Sequence, residues 1–492
     1  MTRAAFLRLL RFEVESFLRE PATWVITGLL FAAMLWGAMN GERHVRAQQV
    51  AIARIHLREA QAIEWQKATA HRFMQPSALI VPYWQDPTDV AGYMRYGLTA
   101  FAVKPPSPLG ALAIGGSNVV PFYLRARLDF VAPPEAAYEF ENPRVLSLGA
   151  FDLAFVLIYL LPLGVIALTA WRLSAERDSG ALRLIAAQPA NARAIVAAKF
   201  GAVALATVPL ALVAMWLAVA LAGVPIFSVR LLSIEAIVAV AAAGYAFFWI
   251  GLAACVASRT GAIASTATLV AMWIVLVFVV PAIGALALGS LHPAPSRLQY
   301  LDVLRRESDW TDKRRDDLIT AYLAARPAYA AGAHRIASIP YATKQIAVQT
   351  ELERRLRDRI AEFDRARAAA SRTAAVLRLL SPALVLDAAL QSAAGSDAAR
   401  HEVFLLRARE FTDRLRAFFW PRALKEAAQP TTTACNGCPA KMSFLEHDDI
   451  PSFVDDDPVI GVAARIGPLA LHLWLFAGVT ALVAGRTRGF RL

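Results

Sequence analysis

The residues best suited to chemistry are Cys435 and Cys438, which are separated by two residues. Two thiols at this spacing close a small disulfide loop in an oxidising compartment, and this is the interpretation that we favour. The alternative is a soft metal ion such as copper, bound by both thiolates with Met442 or His447. A single Cys-x-x-Cys pair without a second pair of ligands is weak support for a metal site. We therefore predict a disulfide and keep the metal as the alternative.

Three further reactive groups fall inside apolar stretches. Asp152 and His472 are ionisable residues in predicted membrane-spanning segments, where such groups often mark a transport pathway. The alternative for Asp152 is a carboxylate near the membrane interface that simply reaches water. Cys255 is surrounded by alanine and leucine, and we expect a small buried residue rather than a functional thiol.

Sequence motifs of enzymes are missing from the chain. It contains no Gly-x-x-x-x-Gly-Lys-Ser/Thr phosphate loop, no Gly-x-Ser-x-Gly elbow and no His-Glu-x-x-His zinc motif. We therefore predict no catalytic residues and no cofactor in this chain. If ATP and Mg are used, a partner subunit binds them.

The composition predicts a membrane protein. Hydrophobic residues make up 57% of the chain and charged residues 18%, whereas a soluble domain has about 25% charged residues. Apolar runs near the ~20 residues needed to cross a bilayer recur along the sequence. They occupy residues 24–39, 148–171, 201–224, 236–257, 266–288 and 466–484. Because helices satisfy their own backbone polar groups in lipid, we expect an all-α polytopic membrane protein with about six transmembrane helices.

Lys and Arg residues in the short segments predict the orientation. The N-terminal tail to Glu20, the loop at residues 172–199, Arg259 and the C-terminal tail carry most of the +12 net charge. Strictly alternating spans put all four on one side, which the positive-inside rule assigns to the cytoplasm. Both termini are then cytoplasmic in a bacterial inner membrane. The long external segments have nearly balanced charges, so we expect no nucleic-acid partner.

Two large, mainly helical periplasmic segments are predicted, one after the first span and one between the fifth and sixth spans. In the first, residues 42–72 extend the first span as a helix, and the later Pro- and Gly-rich part forms loops with a few short strands or turns. In the second, apolar residues at helical spacing predict helices over residues 301–326, 344–380 and 398–419.

A charged loop separates the predicted second and third spans. Its notable residues are Glu176, Arg177, Asp178, Gly180, Leu182 and Arg183, followed by Pro189 and Lys199. This arrangement resembles the coupling segment of ABC-2-type permeases, where an acidic-basic cluster, a Gly-x-Leu turn, a Pro and a Lys lie between the same two spans. The resemblance implies that a separate ATPase holds the loop in a groove, with Glu176 and Asp178 contacting basic residues and Leu182 filling the groove.

A second resemblance lies in the second external segment. It rests on Leu380-Ser381-Pro382-Ala383, Ala394-Gly395-Ser396-Asp397, His401, Phe404 and an Arg-rich helix to Arg416. These motifs resemble the DUF3526 family of bacterial permeases, which is grouped with permeases linked to multicopper-enzyme maturation. With the charged loop, the resemblance covers nearly the whole chain.

These observations divide the chain into units. An amphipathic elbow helix at residues 1–21 lies flat in the headgroup region, because Phe6, Leu10 and Phe17 are interleaved with arginines. The other units are the first span (22–40), the first periplasmic segment (41–147), the second span (148–171), the cytoplasmic coupling segment (172–200), spans three to five (201–289), the periplasmic helical domain (290–465), the sixth span (466–485) and a cytoplasmic tail (486–492).

Two classes of function fit this organisation. The first is the permease subunit of an ABC-2-type exporter, with two ATPase subunits, a second permease chain that is identical or a related paralogue, and the lipid bilayer as partners. The second is a non-transporting membrane scaffold or mechanotransducer that acts on a periplasmic protein. A continuous small or polar lining between the spans favours passage, and a closed, bulky seam favours mechanical signalling.

Overall fold

The computed structural model describes residues 3–73, 84–128, 149–169, 176, 192–223, 228–293, 297–330, 336, 339–428, 448–455 and 461–486. It is mostly helical. The long helices are α1 (Arg3–Arg19), α2 (Pro21–Phe73), α3 (Leu153–Thr169), α4 (Ala192–Leu221), α5 (Val229–Ala257), α6 (Ala262–Leu291), α7 (Arg297–Lys313), α8 (Arg315–Ala324), α9 (Tyr341–Leu377), α10 (Pro382–Ala394), α11 (Ala398–Ala428) and α12 (Val462–Gly485). Short helical turns cover Val90–Gly92, Tyr93–Gly97, Gly110–Leu112, Gly115–Asn118, Pro327–Tyr329 and Arg378–Leu380.

Five helices in the described part of the chain are long and apolar enough to cross a membrane. They are Pro21–Ala70 within α2, Arg193–Leu221 within α4, α5, α6 and α12. The shorter apolar helix α3 falls in the predicted second span, and the residues that follow it lie outside the described ranges. The protein is therefore an apolar, multi-pass helical protein, and a sixth span through α3 remains a prediction.

Helix α1 has the amphipathic character expected of residues 1–21. Phe17 is buried and packs against Leu168 of α3 and Ala202 and Val203 of α4. Phe12, on another side of the same helix, is 65% exposed. The chain then turns at Glu20 into α2, which begins with a proline, the residue best suited to a first helical turn because its missing N–H has no acceptor there.

Helix α2 continues far beyond the length of a span, as predicted for residues 42–72. Its 53 residues reach about 80 Å at 1.5 Å per residue. Two glycines one turn apart let other backbone segments approach it closely. A Cβ on Gly37 would lie 2.6 Å from the carbonyl carbon of Asp152, and a Cβ on Gly41 would overlap the carbonyl oxygen of Ala111.

The bundle of spans is closely packed around α5. Helices α5 and α12 run along one another, and Gly251 of α5 lies against Thr480 of α12. Tyr245 and Trp249 of α5 are completely buried in the same apolar core as residues of α3, α4, α10 and α12. Helices α3, α4, α5, α10 and α12 therefore meet in a bulky, apolar seam within one chain.

The two external segments share one core rather than forming separate units. Strands β1 (Phe101–Val103) and β2 (Tyr123–Arg125) pair antiparallel, as short strands were expected in this loop-rich part. Tyr93 of the first segment stacks on Phe419 of α11, with ring centroids 5.7 Å apart. Phe404 and Phe411 of α11 complete the cluster. We call this assembly of residues 84–128 with α7–α9 and α11 the external domain, a name that follows the predicted orientation.

The predicted helices of the second segment are present with altered bounds. Residues 301–326 are split into α7 and α8 at Arg314, and residues 344–380 correspond to α9 followed by a 3-10 turn. Residues 398–419 begin α11, which continues through Pro421 to Ala428. Helix α10 was not singled out from the sequence, and it lies among the spans instead of in the external domain.

Candidate functional site

The Lys199 ammonium group joins three parts of the chain at one end of the bundle. Its Nζ donates to Oε1 of Glu13 in α1 at 2.8 Å and to Oε1 of Glu176 in the charged loop at 2.7 Å. The side chains of Lys199 and Glu13 are each 8% exposed, and that of Glu176 is 29% exposed. We call these three residues the charge node, and this end of the bundle the loop end.

The charge node fixes the charged loop to α1 and α4. A buried ammonium group is costly to remove from water unless it is paired and hydrogen-bonded, and two carboxylates meet that need here. Since Lys199 lies on α4 and Glu13 on α1, a displacement of Glu176 pulls on both helices. The node therefore makes a direct mechanical connection between the loop, α1 and a span.

Of the residues predicted to contact an ATPase, Glu176 alone lies within the described ranges, which also include Lys199 of the same segment. Arg177, Asp178, Gly180, Leu182 and Arg183 lie outside them. The assignment of Glu176 to an ATPase contact stays a prediction, to which the structure adds an intramolecular partner, Lys199.

Asp152 joins α3 to the external domain at the opposite end of the bundle. Its Oδ1 accepts the N–H of Phe155 at 2.7 Å and so caps the start of α3. Its Oδ2 accepts the N–H of Ile114 at 2.8 Å. The residue is 4% exposed, and both carboxylate oxygens are engaged. These two hydrogen bonds give Asp152 a structural role, and its role in a transport pathway stays a prediction.

His472 lies at a different junction. Its Nε2 is 3.1 Å from the carbonyl oxygen of Leu379, in the 3-10 turn that follows α9. The ring also packs edge-on against Phe476 of its own helix. In the described chain, Asp152 and His472 thus contact different elements and do not form a joint site.

Two helices of the bundle contain a π-helical turn followed by a proline, and each break is repaired by a side chain from elsewhere. In α3, Pro162 has no N–H to offer the carbonyl of Ile158, four residues earlier. The hydroxyl of Tyr245 donates to that carbonyl at 2.8 Å. Polar side chains commonly repair proline breaks in this way inside membranes.

In α6 the carbonyl of Leu276 also lacks a backbone donor. The N–H of Val280 donates to Val275, and residue 281 is a proline, so neither position supplies Leu276 with a donor. The hydroxyl of Ser381 donates to Leu276 at 2.7 Å. It also accepts the N–H of Leu384 as the cap of α10, so that one side chain both starts α10 and completes α6.

Helix α10 thereby connects the external domain to the bundle. It begins at the repaired break of α6 and ends at Gly395, whose left-handed conformation (φ 65°) is accessible to glycine at no steric cost. Leu386 and Leu390 are completely buried in the core formed with the spans. Ser381 holds the start of α10 on α6, and the hydroxyl of Ser107 in the external domain donates to the carbonyl of Ala393 near its end, so α10 links the external domain to the bundle.

Of the three cysteines, the structure describes Cys255. Cys255 is buried, and its Sγ donates to the carbonyl oxygen of Thr480 at 3.1 Å, consistent with a small buried residue. Cys435, Cys438 and His447 lie outside the described ranges. The disulfide therefore stays a prediction: thiols that react with a membrane-impermeant maleimide only after reduction support it, and immediate labelling or one retained copper ion per chain supports the metal.

Among the described residues there is no group of three His, Cys, Asp or Glu side chains arranged to hold a metal ion. What the described chain forms is a helical membrane protein with a charge node at one end of its bundle and an external domain at the other. Residues 297–433, which include α7–α11, match the profile of a family described as a domain of unknown function, DUF3526. No curated protein and no solved structure matches the chain.

Several residues that join the helices of the bundle were not identified from the sequence. Glu13 had a visible signal, because it falls on the apolar side of an amphipathic helix, four residues before Phe17. Ser381 was recognised only as part of a family motif, although the pattern Ser-Pro at a helix start indicates a cap. Tyr245 had no local signal, since its partner Ile158 is 87 residues away.

Proposed function

We propose that this chain is the membrane-spanning permease subunit of an ABC-2-type exporter, driven by a separate ATPase that engages residues 172–200. The observation that carries the proposal is the charge node. A force applied to the loop at Glu176 is transmitted through Lys199 to a span and through Glu13 to the amphipathic helix. A loop that only connected two spans would not need this anchorage.

The match of residues 297–433 to DUF3526 supports a membrane permease of this family. The proposed assembly contains two such chains, identical or paralogous, and two ATPase subunits that bind ATP and Mg. The pathway runs between the two chains, because the seam within one chain is filled by Tyr245 and Trp249. In this assembly both termini and residues 172–200 face the bacterial cytoplasm, and the external domain faces the periplasm.

Two observations favour the second class of function, a mechanotransducer that acts on a periplasmic protein. The first is the closed, apolar seam around Tyr245 and Trp249, and the second is the attachment of the external domain to the bundle. The external domain is tied to the bundle at Asp152, at the hydrogen bond from Ser107 to the carbonyl of Ala393 in α10, and at the close approach of Gly41 to Ala111. Such ties transmit movement of the spans to the domain whether or not a substrate passes. Both functions share the same ATPase contact and the same orientation.

The orientation is tested by fusing a reporter that is active only in the periplasm. We expect activity for fusions near Ala331 and Gln429 and none for a fusion at Gln188. Each fusion is paired with a cytoplasm-active reporter at the same position, which must give the opposite result and shows that the protein is made. Periplasmic activity at Gln188 would put the charged loop where no ATPase exists and would contradict both classes.

A further inference from the structure

A small cavity lies where α2, the chain after β1 and the end of α10 meet. Its polar lining comes from His44 and Gln48 of α2, from Lys104, Ser107 and Ser117 of the first external segment, and from the backbone at Gly395. The free space admits about one occupant of the size of a water molecule. The cavity lies beyond residue 40, where the first span is predicted to end.

Lys104 brings an ammonium group, unpaired among the described residues, to this cavity. The residue is 6% exposed, and its backbone N–H donates to the carbonyl of Phe122 at 2.7 Å. Within the described part of the chain its ammonium group makes neither a hydrogen bond nor an ion pair. Burial, followed by the charge of Arg400, lowers the pKa of Lys104 to about 8, against the opposing charges of Asp397 and Asp455, so the group is still largely protonated at neutral pH. A buried ammonium group without a partner is strongly unfavourable.

Each of the two nearby carboxylates already has an arginine beside it. Asp455 is paired with Arg400, whose Nη1 is 3.3 Å away, and both side chains are buried. Asp397 accepts the hydroxyl of Ser392 at 2.7 Å and lies 3.6 Å from Arg465. The two acids are therefore matched by two arginines, and the charge of Lys104 remains in excess.

A neighbouring histidine reports the same excess of positive charge. His401 is 8% exposed, and its two ring nitrogens have no hydrogen-bond partner within the described ranges. Burial, then the charges of Lys104 and Arg367, lower the pKa of His401 to about 4. The imidazole is neutral at physiological pH, because a further cation is disfavoured there.

The cavity also offers a neutral donor. The side chain of Gln48 is 8% exposed and lines the cavity, and its amide has no hydrogen-bond partner among the described residues. The hydroxyl of Ser107 donates to the carbonyl of Ala393 at 3.2 Å, which holds the cavity wall against α10. Ammonium and amide N–H groups are donors to anions, whereas a cation would be repelled by Lys104.

We propose that this cavity binds a small inorganic anion of halide size, with the Lys104 ammonium and the Gln48 amide as its ligands. The anion neutralises Lys104 and fills the space between α2, the first external segment and α10. It thereby stabilises the contact between the external domain and the bundle. The size of the free space favours chloride or bromide over sulfate or phosphate.

The test measures thermal unfolding of the purified full-length chain in detergent. Sodium gluconate is replaced by sodium chloride or bromide at constant ionic strength. We expect the unfolding temperature to rise with halide concentration and to saturate, as a ligand that binds only the folded state requires. Lys104→Met should abolish this response and should unfold in gluconate at or above the wild-type temperature, because it removes an unpaired buried charge.

The matched control is Lys67→Met. Lys67 is also a lysine of low exposure near the external domain, but it is paired with Asp448, so the halide response should be unchanged. An equal response in Lys104→Met and wild type would overturn the proposal. A Lys104-dependent response to sulfate but not to bromide would overturn the assignment of a halide-sized occupant. Anomalous density for bromide beside Lys104 in crystals of the wild type supports it without a variant, and bromide density only elsewhere contradicts it.

Discussion

Replacing Lys199 by methionine removes the central charge of the node and keeps a side chain of similar length. Glu13 is then a buried carboxylate without its partner, and Glu176 loses the same ammonium group. Removing one member of a buried ion pair destabilises a protein by about 3–5 kcal/mol. Because the side chain of Glu176 is 29% exposed and water can solvate it, we expect a value near the lower end, about 3 kcal/mol.

A second substitution separates this explanation from simple loss of packing. In the double variant Glu13→Leu/Lys199→Met the buried carboxylate is absent, and an apolar pair of similar volume replaces the ion pair. Such replacements are often neutral, so its free energy of unfolding should be within about 1 kcal/mol of the wild type. The control is Arg11→Met on the same helix, which removes an exposed 2.8 Å pair with Glu15 and should cost less than about 1 kcal/mol.

The assay is denaturant unfolding in detergent followed by tryptophan fluorescence, for which the chain has 11 tryptophans. The free energies of the four proteins are compared under one set of conditions. The reasoning would be refuted if Lys199→Met were no less stable than Arg11→Met. It would also be refuted if the double variant were as unstable as the single variant, because the buried carboxylate would then not be the cause.

Two further predictions concern the contacts between the external domain and the bundle. Ser381→Ala leaves the carbonyl of Leu276 in α6 without a donor and should lower the free energy of unfolding by about 2 kcal/mol. The control Ser290→Ala loses only a hydrogen bond within its own exposed helical turn and should cost less than about 0.5 kcal/mol. Gly41→Ala places a methyl group against the backbone of Ala111 and should destabilise by about 2 kcal/mol, whereas Gly28→Ala, with open space around it, should be neutral or stabilising. Equal effects within either pair in the same unfolding assay would contradict the corresponding contact.

The membrane-spanning helices and the extension of α2 could be predicted from the sequence because both depend on local properties. A run such as residues 236–257 is apolar on every side, and residues 42–72 have helix-forming side chains without proline or glycine. The helical periodicity of residues 344–380 was equally informative, since it reflects one face packed against neighbours.

The contacts that join the parts could not be predicted because they depend on residues distant in sequence. Ser381 repairs a break 105 residues earlier, and nothing in the motif around Pro281 identifies the donor. Helix α10 is too short for a span and too apolar for an exposed helix, and only its packing shows that it lies among the spans. Lys104 looks like an ordinary surface lysine until the fold buries it.

The central claim, that an ATPase holds the charged loop, is tested most directly by photocrosslinking in living cells. A photoreactive amino acid replaces Leu182 in one variant of this chain. In a second variant it replaces Trp65, an exposed residue on the extension of α2. Mass spectrometry identifies the captured proteins. We expect an ATPase with a Gly-x-x-x-x-Gly-Lys-Ser/Thr phosphate loop to be captured from position 182 and not from position 65. Efficient crosslinking at position 182 that captures no such ATPase would contradict the claim.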